Sequence, residues 1–526
     1  MVTLGINMQQ LNYRIREAFS NGESPDPMAE PNIPYLDRCY GLVPREVGCV
    51  DPYVITQPSI VPAEGQPAMS FTVGDAVLRD QYMFYFSNAA TQRLVPIGVG
   101  WEDIFAATCK SIASGAAATL SKVKGRPQLL RVNDEFTLFG ADTTHVFSDD
   151  SILLQAKQTD TNVITTGCRH NNRIIYAGFK VNQTAILDTE FQRVWTIAMK
   201  YSPNTDFSMF GEAFGDRVVV WSTPAGGDIS VATDLEKAFL YNRALLSDLV
   251  NVAEDAFRRR QMGVAHFDWP GVVLYALPLG NRVMLYGDKA IGMLIPTDEG
   301  YITQKLIDVG IHSRSSVDGD DRLQVFVDTQ GDVWYLQNEY IPRNMKYGHK
   351  VSALFDGDLD EDIRVVLDPR NYDCYITSPD TAYIVTEQRK FAEAQYRPWS
   401  LLEYNAGLYG PRQVGSSTFQ LRSWVTDQDR NSRKTIQTVE VVRKGGSTIS
   451  CYVSWRNKDT DAFVSSPSKK LNYDDAVNPI VTANQTKLVL EGTVQSENVV
   501  NKVRIKYLGR DLSHIRGLTE QPDEQI

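Results

Sequence analysis

Short apolar segments separated by turn residues recur along most of this chain. Each of seven strand–turn–strand patterns combines β-branched or aromatic residues with a Gly, Asp, Asn or Pro turn and a second apolar strand. They lie at 80–97, 133–147, 171–187, 215–232, 280–296, 320–337 and 368–385. Apart from one wider gap after residue 215, they start about 40–50 residues apart, a period typical of propeller blades.

Four of the patterns open in the same way, with a short polar residue, an arginine and an aliphatic residue. The openings are Asn172-Arg173, Asp216-Arg217, Asn281-Arg282 and Asp321-Arg322. A residue that accepts a turn conformation, followed by a cation at the strand edge, is a pattern that can begin a strand repeatedly along a chain. The recurrence predicts a mainly β fold containing a β-propeller of six or seven blades over residues 71–425. A series of hairpins in two packed β-sandwiches is the alternative.

Three segments have features of helices. Residues 234–261 carry apolar residues at helical spacing, with Thr233 and Glu236 as a capping box and Gly263 after the end, and they predict a helix inserted in the propeller. Its apolar stripe fits packing on its own domain, although a projecting helix would suit contact between subunits. The Ala-rich stretch 101–123 and the stretch 5–20 are further candidates.

The two ends of the chain differ from its centre. Residues 1–70 read as an N-terminal extension, a helix followed by an extended segment containing Pro25, Pro27, Pro31 and Pro34, that could dock on the C-terminal domain. After a polar linker at 426–434, strands show strict alternation, as in Ile449, Cys451, Val453 and Trp455. Residues 426–526 are therefore predicted to form a C-terminal β-sandwich.

Composition narrows the class of protein. The chain has 526 residues, 43% of them hydrophobic, which excludes a disordered protein and favours two or three domains. The formal net charge of −11 disfavours stable binding to a nucleic-acid backbone, but not the passage of DNA past the surface. No stretch is apolar enough for a secretory signal or a membrane span.

The cysteines do not form a recognisable framework. They are Cys39, Cys49, Cys109, Cys168, Cys374 and Cys451, without CxxC spacing. Cys39 and Cys49 are near enough in sequence for a bridge, but free thiols in a protein assembled inside a cell are the favoured interpretation.

Motifs of catalysis are absent from the sequence. The six histidines (His145, His170, His266, His312, His349 and His514) are single, and there is no HExxH, GxSxG or GxxxxGK[ST] motif. A carboxylate pair for glycoside hydrolysis is a matter of spatial geometry, which a sequence does not reveal. We predict no catalytic, cofactor-binding or metal-binding residues and no enzyme activity.

Two acidic loops come nearest to a site. Asp356, Asp358, Asp360 and Asp362 alternate in the first, and VDGDD at 317–321 is similar. Oxygen ligands converging from a flexible loop could bind a hard cation, but a solvated acidic turn is favoured. The basic clusters at 258–260 and 443–446 are short, and the first is explained by the end of the predicted helix.

One block of sequence is more specific than composition. After the predicted helix comes MGVAHFDWPGVVLYALPLGNRVMLYGDKA at 262–290, which resembles the matching block of the packaged-DNA stabilisation proteins, or tail nozzles, of short-tailed bacteriophages. The stretches at 125–144 and 209–224 and the terminal VRIKYLG (503–509) resemble that family in the same order. The resemblance spans roughly residues 120–510 as a pattern with few identities, so it transfers no functional residue.

The resemblance implies a structural virion protein. It predicts a homohexameric ring at the tip of a phage tail, beneath an adaptor or portal-side ring and serving as a base for fibres or spikes. Such a ring would retain packaged duplex DNA and guide its ejection, after assembly in the cytoplasm of the host bacterium. An acidic wall would repel the duplex and prevent its adhesion.

Two other functions stay open as alternatives. A receptor- or glycan-binding propeller would need aromatic residues exposed on one face, and Trp221, Trp269 and Trp334 are candidates. The pattern places Trp221 and Trp334 inside strands, which favours the core. A hydrolase is the third alternative, which the missing motifs disfavour.

Overall fold

The computed structural model of the protein describes somewhat more than half of the chain, as strands and short connections. The described residues are 11–16, 23, 36–57, 59–61, 74–79, 82–87, 91–97, 100–103, 110–111, 125–132, 135–140, 144–148, 153–155, 162–170, 173–181, 243–246, 263–266, 273–297, 300–344, 363–378, 380–404, 407–410, 412–414, 417–423, 434–446, 448–494 and 499–509. Among them, the only helical element is the 3-10 helix Arg314–Ser316, so the fold is mainly β, as predicted.

Five short strands precede the propeller. They are β1 (Leu11–Arg16), β2 (Leu36–Tyr40), β3 (Val43–Arg45), β4 (Gly48–Val50) and β5 (Ile55–Thr56). Strands β3 and β4 form a tight antiparallel hairpin in which Val43 faces Val50.

The centre of the chain is a β-propeller, with six blades among the described residues. Blade one comprises β6 (Ser59–Val61), β7 (Gly74–Arg79), β8 (Tyr82–Ser87), β9 (Thr91–Ile97) and β10 (Gly100–Asp103), and blade two comprises β11 (Lys110–Ser111), β12 (Gln128–Val132), β13 (Glu135–Phe139), β14 (Thr144–Ser148) and β15 (Leu153–Gln155). Blade three comprises β16 (Asn162–His170), β17 (Arg173–Val181), β18 (Arg243–Leu246) and β19 (Gly263–His266), and blade four comprises β20 (Val273–Leu279), β21 (Arg282–Gly287), β22 (Ile291–Thr297) and β23 (Gly300–Ile307). Blade five comprises β24 (Val317–Gly319), β25 (Leu323–Val327), β26 (Val333–Gln337) and β27 (Arg343–Asn344), and blade six comprises β28 (Arg364–Leu367), β29 (Cys374–Thr377), β30 (Ala382–Val385) and β31 (Phe391–Glu393).

Each blade is an antiparallel meander of four consecutive strands. In blades one and two, β6 and β11 add a fifth strand in parallel to the last strand of the meander. Neighbouring blades bury apolar side chains between them, for example Ile175 of blade three with Leu285 of blade four, and Val325 of blade five with Ile376 of blade six. An ion pair between Arg364 of β28 and Asp75 of β7 joins the last blade to the first.

The remaining strands form a connector and a sandwich. The connector contains β32 (Tyr396–Pro398), β33 (Leu402–Tyr404), β34 (Gly407–Tyr409) and β35 (Arg412–Val414). The sandwich contains β36 (Thr418–Ser423), β37 (Lys434–Lys444), β38 (Ile449–Arg456), β39 (Val464–Ser465), β40 (Lys469–Lys470), β41 (Ala476–Val477), β42 (Val481–Ala483), β43 (Gln485–Thr493) and β44 (Val499–Gly509). In β38 the buried positions are Ile449, Cys451 and Val453, which is the alternation expected from the sequence.

The N-terminal strands are built into this sandwich. Strands β1 and β4 pair with β44 in one sheet, and β2 pairs with β36 in the other. Strand β2 also meets β31 of blade six, where Tyr40 pairs with Glu393. Blade six and half of the sandwich are therefore one ten-stranded sheet, and their apolar residues share one core.

The prediction of a helix at 234–261 is wrong for the centre of this segment. Residues Arg243–Leu246 form strand β18, which pairs with β17 through Leu245 and Leu246 and with β19 on its other side. The helical spacing of apolar residues is a local preference, and sheet pairing inside a blade overrides it here. The rest of this segment lies outside the described residues.

The two other helical candidates contain strands as well. Residues Leu11–Arg16 form β1 rather than helix, and the letters LNYRIR alternate apolar and polar as a strand requires. Residues 101–103 belong to β10 and Lys110–Ser111 form β11. The proline-rich segment at 25–34 and the linker at 426–433 lie outside the described residues.

Candidate functional site: the propeller axis

The axis of the propeller is crossed by one side chain. Arg126, just before β12 of blade two, places Nη2 2.6 Å from Asp318 Oδ2 on β24 of blade five. Its Nη1 donates hydrogen bonds of 2.7 Å to the carbonyls of Val317 and Val365, in blades five and six. Since blades two and five stand opposite each other in a ring of six, Arg126 spans the axis.

A second arginine occupies the same level. The guanidinium of Arg314, which precedes β24, donates to the carbonyl oxygens of Arg126, Leu274 and Phe139 at 2.5, 2.9 and 3.2 Å. It also lies over the ring of Tyr275, 4.9 Å from the centroid. These contacts tie blades two, four and five together around the axis.

A polar chain completes this layer through blades two to four. Gln128 accepts hydrogen bonds from Thr166 Oγ1 and Gly167 N at 2.7 and 3.2 Å, and it donates to the Ala276 carbonyl at 2.8 Å. The amide of Ala276 in turn donates to Thr166 Oγ1 at 2.8 Å. Buried polar groups that satisfy one another in this way rigidify the core and fix its register.

The acidic groups of the layer stabilise the charge of Arg126, whereas Arg126 repels that of Arg314. Burial lowers the pKa of Arg126, but nearby acidic groups, led by Asp318, outweigh it and leave the pKa raised. Burial lowers the pKa of Arg314 to about 10, so this side chain is still cationic at neutral pH. Breaking such a buried pair is costly because the remaining charge is left without its partner.

A cavity of about 560 Å³ surrounds this layer and is lined by the first strands of all six blades. Asp75, Arg126 and Asp318 lie within its wall, and Arg169, Pro278 and Asp320 lie at the ends of their strands. The volume of the cavity is that of a small-molecule pocket. A DNA duplex, whose major groove alone is about 12 Å wide, does not fit inside it.

A tyrosine in the neighbouring blade covers the turn between first and second strands. The Arg282 guanidinium lies 4.0 Å from the ring centroid of Tyr340, and that of Arg322 lies 4.4 Å from the ring of Tyr372. Arg370 of blade six lies 5.9 Å from the ring centroid of Tyr53, which is in the connection between β4 and β5 and not in a blade. Two of the recurrent openings, Asn281-Arg282 and Asp321-Arg322, thus join adjacent blades, a role that the sequence did not reveal.

The acidic loop at 317–321 is used by the fold. Asp318 pairs with Arg126 and accepts the Leu367 amide at 2.7 Å, while Asp320 Oδ1 accepts the amides of Arg322 and Leu323 at 2.8 and 2.9 Å. The loop at 356–362 lies outside the described residues. Within the described part of the chain, no three His, Cys, Asp or Glu side chains could hold a metal ion together.

The other candidate residues have structural contacts where they are described. Trp334 lies in β26, stacks on Phe326 and donates from Nε1 to Asp328 at 2.8 Å. Arg443, from the second basic cluster, pairs with Asp475 at 2.7 Å. Trp221, Trp269 and the cluster at 258–260 lie outside the described residues.

Histidine and cysteine side chains near the axis are shielded from solvent. His170 Nδ1 lies 2.8 Å from the hydroxyl of Tyr301, and burial lowers the pKa of this histidine. Burial raises the pKa of the Cys168 thiol to about 12, so it is protonated at neutral pH. Across the described ranges, no helix is long and apolar enough to cross a membrane.

Sequence reasoning missed the residues of the axis. Arg126 precedes the segment PQLL, and Asp75 and Asp318 are the second residues of strands β7 (GDAVLR) and β24 (VDG). A charge at the start of a buried strand is the signal that could have identified them, since such a charge needs a partner. The partner itself comes from another blade and is invisible in a linear pattern.

Comparison with known proteins gives no family. No family model matches the chain, and no curated protein matches it. Among solved structures, PorZ of Porphyromonas gingivalis, an essential surface component of the type-IX secretion system, is 11% identical with a TM-score of 0.30, over 70% of this chain and 36% of that one.

Two further solved structures are similar at the same level. The extracellular domain of the putative one-component system BT4673 from B. thetaiotaomicron is 7% identical, with a TM-score of 0.35, over 78% of this chain and 46% of that one. AztD from Citrobacter koseri is 8% identical, with a TM-score of 0.31, over 65% of this chain and 90% of that one. The chain spans less than half of the PorZ and BT4673 chains that it matches. The propeller assignment rests on the strand order and the contacts across the axis.

Proposed function

We propose that this chain is a structural subunit of a short phage tail, a nozzle in which several copies surround the path of packaged DNA. The order of sequence blocks between residues 120 and 510 supports the proposal through their resemblance to the tail-nozzle family. The build of the protein is compatible with it, because the propeller and the sandwich share a sheet and a core.

The crossing of the axis by Arg126 is the observation that shapes this proposal. Because Arg126 crosses the axis, Arg314 lies at the same level and the cavity around them is only about 560 Å³, DNA has no path through the blades of one copy. In the proposed nozzle the channel is therefore formed between copies, around a symmetry axis outside the propeller. Each subunit acts as a rigid wall segment, and the adaptor ring and the fibres or spikes bind its outer surfaces.

The charge of the chain fits this role. Each copy brings a formal charge of −11, and an acidic wall repels a duplex that carries about one charge per 1.7 Å of axis. We place acidic side chains on the lumen between copies, where they prevent the DNA from sticking during ejection.

Cryo-electron microscopy of intact particles that carry a labelled copy of this chain tests the proposal. We expect the label on a ring at the tip of a short tail, with an acidic channel between subunits and a filled axis in every propeller. Absence of the label from tails would refute the structural role. A basic or neutral channel would refute the charge argument alone.

A binding propeller is the second candidate, and the axial cavity favours it. A pocket of about 560 Å³ lined by Arg169 and Asp320, among others, has the size of a small-ligand site. A glycan array with the purified protein separates the two functions. Saturable hits that disappear in an Arg169→Ala variant would favour receptor binding, whereas a blank array leaves the tail-nozzle proposal.

A further inference from the structure

Two cysteines meet at the centre of the sandwich from opposite sheets. Cys39 lies in β2 and faces Leu421 of β36, whereas Cys49 lies in β4 and faces Val500 of β44. Their sulfur atoms are 3.7 Å apart, and both residues have an exposed fraction of 0%. Cys168, Cys374 and Cys451 lie in three separate strands, β16, β29 and β38.

The chain between the two cysteines is held in a fixed shape. The hairpin of β3 and β4 lies between them, with Gly41 and Gly48 at φ of 76° and 124°. The amide of Cys39 donates to the Glu23 carboxyl at 2.9 Å, and its thiol points to the Leu42 carbonyl at 3.6 Å. The sulfur atoms are thus held near each other by backbone on both sides.

We propose that Cys39 and Cys49 are a modification site, at which oxidation forms a disulfide between the two sheets of the sandwich. Forming the bond requires the sulfur atoms to approach from 3.7 Å to about 2.05 Å. The bond would fasten the N-terminal strands to the C-terminal sheet. This inference does not depend on the proposed tail function.

The reaction is thiol–disulfide exchange with an external disulfide such as oxidised glutathione. One cysteine thiolate, having lost its proton to solvent, attacks one sulfur of oxidised glutathione. This sulfur becomes part of a mixed disulfide with the protein, and the other glutathione sulfur leaves as a thiolate. The second cysteine thiolate then attacks the protein sulfur of that mixed disulfide and releases the second glutathione. Two thiols are oxidised, and the external disulfide is reduced to two thiols.

Burial determines when this exchange takes place. Both sulfur atoms are out of reach of solvent, and the contact with Cys49, together with burial, raises the pKa of the Cys39 thiol. Exchange therefore needs the segment 36–50 to leave the sandwich, either during folding or by local opening. Oxidation should be slow in the folded protein and fast in the partly unfolded chain.

Differential alkylation of the purified full chain tests the pairing. The reduced protein is held with oxidised glutathione in moderate denaturant, refolded, quenched in acid, denatured and labelled with a maleimide. We expect Cys39 and Cys49 to remain unlabelled, and peptide mapping to identify a disulfide between them. Cys168, Cys374 and Cys451 should be labelled. Label on both Cys39 and Cys49, or a bridge to another cysteine, overturns the proposal.

Thermal unfolding gives a second readout. The oxidised wild type should melt about 2 °C above the reduced protein, and dithiothreitol should abolish the difference. Cys49→Ala should remove this redox-dependent shift, whereas Cys374→Ala, at another buried cysteine, should keep it. If Cys49→Ala does not fold, the peptide map of the wild type still decides. If the disulfide is mapped but the oxidised and reduced wild type have the same melting temperature, the proposal that the bond stabilises the sandwich is wrong.

Discussion

Arg126 and Asp318 form an ion pair across the axis of the propeller, with 2.6 Å between Nη2 and Oδ2. The pair joins blade two to blade five, while neighbouring hydrogen bonds reach blade six. A blade ring is usually held by contacts between neighbours, so a contact across the centre couples blades that are distant in sequence. This arrangement makes the ring stiff and closes it to any large ligand.

Replacing Arg126 tests the importance of this crossing. Arg126→Met removes the cation and leaves Asp318 buried without it, so we expect a loss of about 3–5 kcal/mol in the free energy of unfolding. Equilibrium denaturation in urea measures it. The control is Arg343→Met, which breaks an exposed pair with Glu339 and should leave the midpoint unchanged. Equal effects of the two substitutions would show that the axial pair is no more important than a surface one.

Glu23 makes stability depend on pH. Burial raises the pKa of this carboxyl from 4.5 to about 7. Between these values the folded protein holds a proton that the unfolded chain releases, so stability falls as the pH rises through this window, by roughly 3 kcal/mol in total. Below the window both states are protonated and the full stability is present.

Glu23→Gln isolates this contribution. The amide oxygen can still accept the Cys39 amide, but it does not titrate. The difference in unfolding free energy between the variant and the wild type should grow from near zero at pH 4 to its full size above pH 7, in favour of the variant. A constant difference across the window would show that Glu23 does not titrate in it.

Gly48 occupies a position that no side chain fits. Its φ of 124° is unfavourable for other residues, and an added Cβ would lie 2.4 Å from the Val500 carbonyl oxygen. We expect Gly48→Ala to destabilise the protein by about 2 kcal/mol or more and to speed trypsin cleavage after Arg45. Gly446, where an added Cβ meets nothing within 4 Å, is the matched control. Unchanged melting of Gly48→Ala would contradict this view of the hairpin.

The contact of Arg322 with Tyr372 couples blades five and six. The guanidinium lies 4.4 Å from the ring centroid and donates to the tyrosine hydroxyl at 2.7 Å. A double-mutant cycle with Arg322→Gln and Tyr372→Leu should give a coupling of about 1 kcal/mol. Additive effects of the two substitutions would mean that the stacking adds nothing to stability.

The sequence predicted the blades because their signal is local. Strands β21 and β22 match the pattern at 280–296 to within one residue, and β25 and β26 fall inside that at 320–337. The period of apolar residues and the turn residues are both contained within about 20 positions. The sandwich strand β38 was equally clear, since alternation reports directly on a sheet with one buried face.

The wrong and missed predictions concern residues whose pairing partner is distant in the sequence or lies in another strand. Strand β1 pairs with β44 nearly 500 residues away, and the alternation in LNYRIR does not identify that partner. Strand β18 was hidden by a helical spacing that β17 and β19 override. Likewise, Arg126 gains its meaning only from Asp318, so the axis had no recognisable pattern in the sequence.

The sheet shared by blade six and the sandwich has a mechanical consequence. Since β31, β2 and β36 are neighbours, a pull on the C-terminal strands loads hydrogen bonds of the sixth blade directly, without an intervening hinge. The protein therefore cannot be divided into two independently folding fragments after residue 423. Without residues 36–40, β31 and β36 would each be left as an unpaired sheet edge. Any recombination that exchanges the C-terminal domain must therefore carry the first fifty residues with it.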